Sequence, residues 1–405
     1  LVVVILVARY LGPERFGLMN YAVAFVTIFA VLASLGLDEI VVREIVSNQE
    51  KKNEYLGSTL ILKFLGSLLL ILISGFGMFL MEPDNHLLQI FVLICAFGYL
   101  LKSFDVIDLW FKSQVQSQYS VYARLVAFIF ISTFKIILVF TQGPLIAFVS
   151  IIALEFFLTS VFLIILYLKK VKVSLFKWKV KFDVMKTLLK DGWPLIFSGL
   201  AVVIYMRIDQ VMIGNMLGEA PLGIYSAAVK ISEAWYAIPT IITASVFPAI
   251  IYARKIDRKL YLKRIQILYD GFLWFTLVFA LIITFVSSFI INLLYGLEYA
   301  GASSILSVHI WTGVFVFFGV VNGKYLVAEN LTKVVLYITA LGALFNVLFN
   351  FLLISAYGPL GAALASLLSQ MLSASIILVF FSQTRSLAKM QFKALNLFRI
   401  LRYFK

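Results

Sequence analysis

Four basic residues stand inside long apolar runs: Lys63, Lys135, Arg207 and Lys230. A charged side chain at the centre of a membrane-spanning helix costs about 2.5–3.5 kcal/mol on the insertion scale. Each therefore calls for a water-filled cavity, an anionic ligand or a carboxylate partner. Arg207 lies near the middle of the run 193–217, too deep to snorkel, and faces either a cavity or a paired acid. Lys230 has Glu233 three residues on, hence on the same helix face, a spacing that also suits a local ion pair. Lys63 and Lys135 stand closer to their helix ends, where snorkelling competes with a cavity role. These four are candidate contacts for an anionic substrate. Asp209, Glu233 and Glu155 are the candidates for charge pairing or ion coupling. Asp209 is only two residues from Arg207, which puts the two on different faces of one helix. A stripe of Lys102, Asp105, Asp108 and Lys112 at helical spacing reads as a solvated ion-pair ladder or as a gate. Asp38, Glu39, Arg43 and Glu44 read as ordinary interfacial charge.

This is the chemistry of electrostatic capture, not of bond making. His86 and His309 are far apart and have no cysteine or paired carboxylate beside them, so no metal site is expected. Gly319-Val320-Val321-Asn322-Gly323-Lys324 has the wrong spacing for a phosphate-binding loop and lacks its Ser or Thr. Gly319-xxx-Gly323 and Gly214-xxx-Gly218 read instead as points of close helix packing. No cofactor, nucleotide hydrolysis or enzymatic activity is expected. Energy must come from an ion gradient, the membrane potential or the substrate's own gradient.

The elements that position these charges are membrane helices. Hydrophobic residues make up 62% of the 405-residue chain and charged residues 13%, against about 45–50% and about 25% in soluble domains. The 38 phenylalanines suit lipid contact and helix packing. The single cysteine, Cys95, cannot form an intrachain disulfide. Twelve spans are expected, near 1–10, 18–40, 55–81, 87–111, 121–141, 144–168, 193–217, 223–251, 265–294, 305–327, 334–354 and 359–382. The opening run Leu1-Val2-Val3-Val4-Ile5-Leu6-Val7 reads as the end of an incomplete first helix, not as a signal peptide. Pro239 and Pro248 should kink or break the eighth span.

The net charge of +14 sets topology here and does not call for nucleic acid. Most lysines and arginines fall in alternate segments: 43–54, 102–124, 169–190, 252–264, 324–333 and the tail from 383. The 169–190 segment carries Lys169, Lys170, Lys172, Lys177, Lys179, Lys181, Lys186 and Lys190; the tail runs from Arg385 through Arg402 to Lys405. The positive-inside rule then makes both termini and the central loop cytoplasmic. The loops on the other side are all short. None has room for a catalytic domain, which weighs against a glycan polymerase or transferase.

The chain also repeats itself. Leu11-Gly12-Pro13-Glu14-Arg15-Phe16-Gly17 is matched by Leu217-Gly218-Glu219-Ala220-Pro221-Leu222-Gly223, and Gly143-Pro144-Leu145 by Gly358-Pro359-Leu360. Such a repeat predicts a duplicated bundle. The expected organisation is a six-helix lobe over 1–168, a basic cytoplasmic linker over 169–192, a second six-helix lobe over 193–382 and a basic tail over 383–405. An even number of spans per lobe makes the repeat parallel, with a pseudo-two-fold axis along the membrane normal.

Ile208-Asp209-Gln210-Val211-Met212-Ile213-Gly214, then Leu217-Gly218, Leu222-Gly223-Ile224-Tyr225-Ser226-Ala227-Ala228 and Glu233, resembles the seventh and eighth helices of bacterial polysaccharide flippases. Counterparts in the first half are Ala8-Arg9-Tyr10-Leu11-Gly12-Pro13, Phe16-Gly17 and Val42-Arg43-Glu44-Ile45. Leu294-Tyr295-Gly296 with Tyr299 and Ala302 resembles the loop before helix ten. Tyr357-Gly358-Pro359-Leu360-Gly361-Ala362-Ala363 resembles the start of the last helix. The chain thus resembles the O-antigen and capsule flippases of the multidrug/oligosaccharidyl-lipid/polysaccharide exporter superfamily. The resemblance implies an all-α polytopic protein of the bacterial cytoplasmic (inner) membrane with a cationic central cavity. It implies export of undecaprenyl-diphosphate-linked oligosaccharide by alternating access. The partners it implies are a lipid-linked anionic oligosaccharide, membrane lipids, and polysaccharide polymerase and glycosyltransferases. A multidrug antiporter of the same superfamily is the alternative, with a lipid-linked peptidoglycan precursor flippase behind it. Intramembrane Arg and Lys argue against a cation-binding antiporter.

Overall fold

The computed structural model describes residues 1–171, 174–396 and 399. Lys172, Arg402 and Lys405, assigned above to the linker and tail, lie outside the described residues. Among the described residues there are helices and turns but no strands. Eleven helical segments are long and apolar enough to cross a membrane. The helices are α1 (Val2–Ser34), α2 (Asp38–Ser47), α3 (Lys52–Met81), α4 (His86–Lys102), α5 (Val106–Ser113), α6 (Gln118–Phe140), α7 (Leu145–Val171), α8 (Phe182–Leu217) and α9 (Glu219–Glu233). They continue with α10 (Ala237–Ile256), α11 (Arg258–Leu294), α12 (Ala302–His309), α13 (Thr312–Ala328), α14 (Thr332–Tyr357), α15 (Pro359–Met371), α16 (Ile377–Phe380) and α17 (Arg385–Ala394).

Eleven segments replace the expected twelve because the first two expected spans form one continuous run. The division between them survives as a kink: Gly12 adopts φ 73° and ψ 170° inside α1, directly before Pro13. Only glycine takes that backbone readily, and proline suits the first turn of the helix that follows. Gly218, the matching residue of the repeat, also has a positive φ, 90°, and precedes α9. The break expected in the eighth span is present near Pro239 but not at Pro248, which lies inside a continuous helix. α9 ends at Glu233, and α10 begins at Ala237 with Pro239 in its first turn, where a missing N–H costs little.

The chain packs as two compact units. One comprises Val2–Leu11 and Leu18–Val211; the other comprises Leu1, Gly12–Gly17 and Met212–Lys405. The boundary falls one helix later than the basic linker. The segment around Lys179 is pinned to α3: Lys179 N–H donates to the Asn53 carbonyl at 3.0 Å, Lys181 N–H donates to Ser58 Oγ at 3.0 Å, and Lys181 Nζ pairs with Glu54 at 2.6 Å. The first half of α8 then packs on α1, where Gly192, Gly199 and Gly36 admit Leu35, Val31 and Leu195. The phenylalanines divide between surface and interior: Phe76, Phe128 and Phe285 are exposed, whereas Phe16, Phe91 and Phe317 are buried.

The repeated turns meet in the second unit. A Cβ on Gly17 would overlap the Glu219 carbonyl, and a Cβ on Gly223 would overlap the Pro13 carbonyl. Pro13 and Glu219 occupy equivalent places in the two copies, so each copy's second glycine is pressed on the other's first turn. Close packing of Gly319-xxx-Gly323, by contrast, is not found: a Cβ at either residue would have nothing within 4 Å. Gly218 likewise has open space, and serves conformation.

The interior of the second unit is aromatic. Trp235 stacks against Phe279 at 4.4 Å and Phe317 at 5.0 Å between ring centroids. A single turn of π-helix at Leu372–Ile376 contains the Ala374 carbonyl. That carbonyl accepts from Asn322 Nδ2 at 2.7 Å and from Gln391 Nε2 at 2.9 Å. Tyr269 Oη donates to Asn322 Oδ1 at 2.5 Å. Gln391 belongs to α17, whose Leu387, Ala388, Met390 and Ala394 are also buried. Beyond the spans, burial raises the hydroxyl pKa values of Tyr295 and Tyr299.

Candidate functional site

The first unit holds a cavity of about 480 Å³. Its wall is charged: Asp38, Lys63, Lys102, Asp105, Asp108, Lys112 and Arg124 all line it, with Thr27, Tyr99, Gly199 and Val203. Seven helices contribute, α1 to α6 and α8. Leu35 and Gly36 take positive φ between α1 and α2, which turns Asp38 inward at the start of α2. An acid in a helix's first turn is favoured by the helix dipole. On α3, Gly66 lies so close to the Leu32 carbonyl that a Cβ there would overlap it, which brings α3 against α1. Lys63, one turn earlier, is buried, and its Nζ pairs with Asp38 Oδ1 at 2.7 Å.

The expected stripe of Lys102, Asp105, Asp108 and Lys112 does not lie on one helix. α4 ends at Lys102, a 3₁₀ turn covers Ser103–Asp105, and α5 starts at Val106. All four residues nevertheless line the cavity. Nor is the stripe a solvated ladder: the Asp108 side chain is 4% exposed, and it bridges Lys112 at 3.0 Å and Arg124 of α6 at 2.7 Å. Removing one partner of a buried pair leaves the other charge stranded, at about 3–5 kcal/mol when the site is dry. Lys112 and Arg124 are about half exposed, so their share of that penalty is smaller.

Lys102 is held differently. Its Nζ lies over the rings of Tyr99, at 5.3 Å from the centroid, and Phe156, at 5.1 Å. The two rings are 5.2 Å apart. Gly98 permits this, because α7 approaches so closely that a Cβ there would come within 2.8 Å of Phe156.

Of the residues singled out by sequence, Lys63 lines the cavity. Arg207 belongs to the same unit. On α8 it stands four residues after Val203 but is not among the residues that line the cavity. Its charge reaches Tyr99. Asp209 is buried, and its Oδ1 accepts from the Gln210 N–H at 2.8 Å. Lys135 and Glu155 come together on α6 and α7, close enough to interact electrostatically, away from the cavity wall. Lys230 and Glu233 lie on α9, in the other unit. Sequence reasoning passed over Asp38, Asp108 and Arg124 as site residues. The available signal was the stripe itself; Arg124, from another helix, carried none. His309 is buried with Nδ1 2.8 Å from Ser232 Oγ. Among the described residues no group of His, Cys, Asp and Glu is arranged to hold a metal ion.

Comparison with known proteins places this geometry. Residues 1–253 match the family described as polysaccharide biosynthesis protein, and residues 194–352 match the MatE family. No curated protein matches significantly in sequence. Among solved structures, an inward-facing multidrug resistance MATE family transporter of the MOP superfamily aligns with TM-score 0.76 and 16% identity, covering 96% of this chain and 94% of that one. The lipid II flippase MurJ, in an inward closed conformation, aligns with TM-score 0.75 and 18% identity, covering 97% and 87%. At such identities the likeness shows the fold alone, which this chain shares with both structures.

Proposed function

The chain belongs to the polysaccharide biosynthesis protein family, and from that premise we propose that it is a flippase for undecaprenyl-diphosphate-linked oligosaccharide, working by alternating access in surface polysaccharide biosynthesis. The observation that carries the reading is the cavity of the first unit, with Lys63, Lys102, Lys112 and Arg124 in its wall. A cation-lined recess in an apolar body favours an anionic head group. The lipid tail can stay in the bilayer, against the exposed phenylalanines. In this reading the protein makes no bonds. It sits in the bacterial cytoplasmic membrane with both termini inside, beside the glycosyltransferases that make its substrate and the polymerase that consumes it.

A multidrug antiporter is the second reading. Asp105 and Asp108 beside Tyr99 in the same cavity favour it, since acids and aromatic faces suit an organic cation. One strain separates the two. In a host lacking its own flippase, wild-type protein is expected to restore surface glycan, and Arg207→Ala to restore less at equal membrane level. Toxin resistance without glycan rescue would support the antiporter instead.

A further inference from the structure

The cations of this cavity are not equally available. Lys63 is already neutralised by Asp38 at 2.7 Å, and Lys112 and Arg124 share Asp108 at 3.0 and 2.7 Å. Lys102 makes no ion pair within 4.0 Å among the described residues; Asp105 influences it only at longer range. What holds the Lys102 ammonium is a pair of aromatic faces, Tyr99 and Phe156. An aromatic quadrupole fixes a cation in place but carries no net charge, so it does not cancel the ammonium's charge. An incoming anion must displace a carboxylate to reach Lys63, Lys112 or Arg124. It need displace none to reach Lys102.

Resting on the flippase reading above, we propose that Lys102 is the residue that first receives the diphosphate of the substrate, and that Tyr99 and Phe156 form the clamp that holds it presented and clear of a carboxylate. Gly98 is part of the device, because a side chain there would drive Phe156 away from Lys102. The clamp also opposes a collapse of Lys102 onto Asp105, which would turn the remaining cation into another internal pair.

The test uses the full chain in lipid nanodiscs, with farnesyl diphosphate as the anionic probe and farnesol as its uncharged control. Wild type is expected to bind the diphosphate more tightly than the alcohol. Lys102→Met should reduce that difference by about tenfold or more, while Lys102→Arg should hold it within about threefold, as expected for loss and retention of a charge-assisted contact. Tyr99→Leu with Phe156→Leu, which keeps the lysine but removes its clamp, should weaken diphosphate binding by about threefold or more. Unchanged thermal unfolding of the variants establishes that they are folded. If Lys102→Met binds the diphosphate as wild type does, the assignment of Lys102 is overturned while the flippase reading stands. If the double variant alone binds as wild type does, the clamp is overturned. If wild type binds farnesyl diphosphate no better than farnesol, the anionic head-group reading fails, and the assignment with it.

Discussion

In the unit built on Leu18–Val211, charged groups border open space; in the unit built on Met212–Lys405, aromatic rings crowd the interior around Trp235. The first places Asp38, Lys63, Lys102, Asp105 and Asp108 around a 480 Å³ cavity. The second stacks Trp235 on Phe279 and Phe317. One group of its buried polar side chains is answered internally, with Asn322, Gln391 and Tyr269 joined around the Ala374 carbonyl. α17 supplies further acceptors: Trp274 Nε1 donates to the Ala394 carbonyl at 3.0 Å, and Gln266 Nε2 to the Met390 carbonyl at 2.8 Å. A polar group inside a membrane protein must find a partner or water. Around the Ala374 carbonyl the second unit meets this condition with a hydrogen-bond network, which stabilises. The other meets it with ion pairs at a cavity wall, which an anion can compete for. The difference teaches that two turns with nearly the same motif can introduce halves of opposite physical character.

Variants that hollow one unit or neutralise the other would break the comparison. The largest effect is expected for Trp235→Ala, which empties the aromatic centre and should cost about 3–5 kcal/mol, read as a fall in thermal midpoint in detergent. Asp38→Ala should cost about 3 kcal/mol by stranding the buried Lys63 ammonium. Asp38→Leu with Lys63→Met should recover most of that loss, a result a purely steric role for Asp38 would not produce. Gln391→Leu removes two hydrogen bonds to buried acceptors and should cost about 2 kcal/mol, with protease sensitivity rising at α17 and not at α2. Gly319→Ala is the smallest change: with open space around its Cβ, it should be neutral or stabilise by up to about 1 kcal/mol.

Much of the fold was legible because hydrophobic runs, turn residues and loop charge are local. The spans, the kink at Gly12 and the break before Pro239 all follow from residues within a few positions of one another. Lys63 was legible as a cavity residue for the same reason: a lysine in an apolar run has few places to go. Its partner was not, because Asp38 reads as interfacial charge until the turn at Leu35 and Gly36 aims it inward. The stripe from Lys102 to Lys112 was visible, but its helical spacing suggested one continuous face. The 3₁₀ turn at Ser103–Asp105 breaks that face, and Arg124 closes on Asp108 from α6. The clamp on Lys102 depends on Phe156, three helices away by sequence. Gly319-xxx-Gly323 misled because spacing alone does not say whether a neighbouring helix is present.

The proposed account stands or falls on whether the cationic wall of the first unit carries the substrate across. The direct measurement is movement of an undecaprenyl-diphosphate oligosaccharide across proteoliposomes, followed by the accessibility of its sugar to an added lectin. Wild type is expected to expose the sugar, and Lys63→Met with Lys102→Met and Arg124→Met to abolish exposure at equal reconstitution. Transport by the triple variant at the wild-type rate would contradict the account.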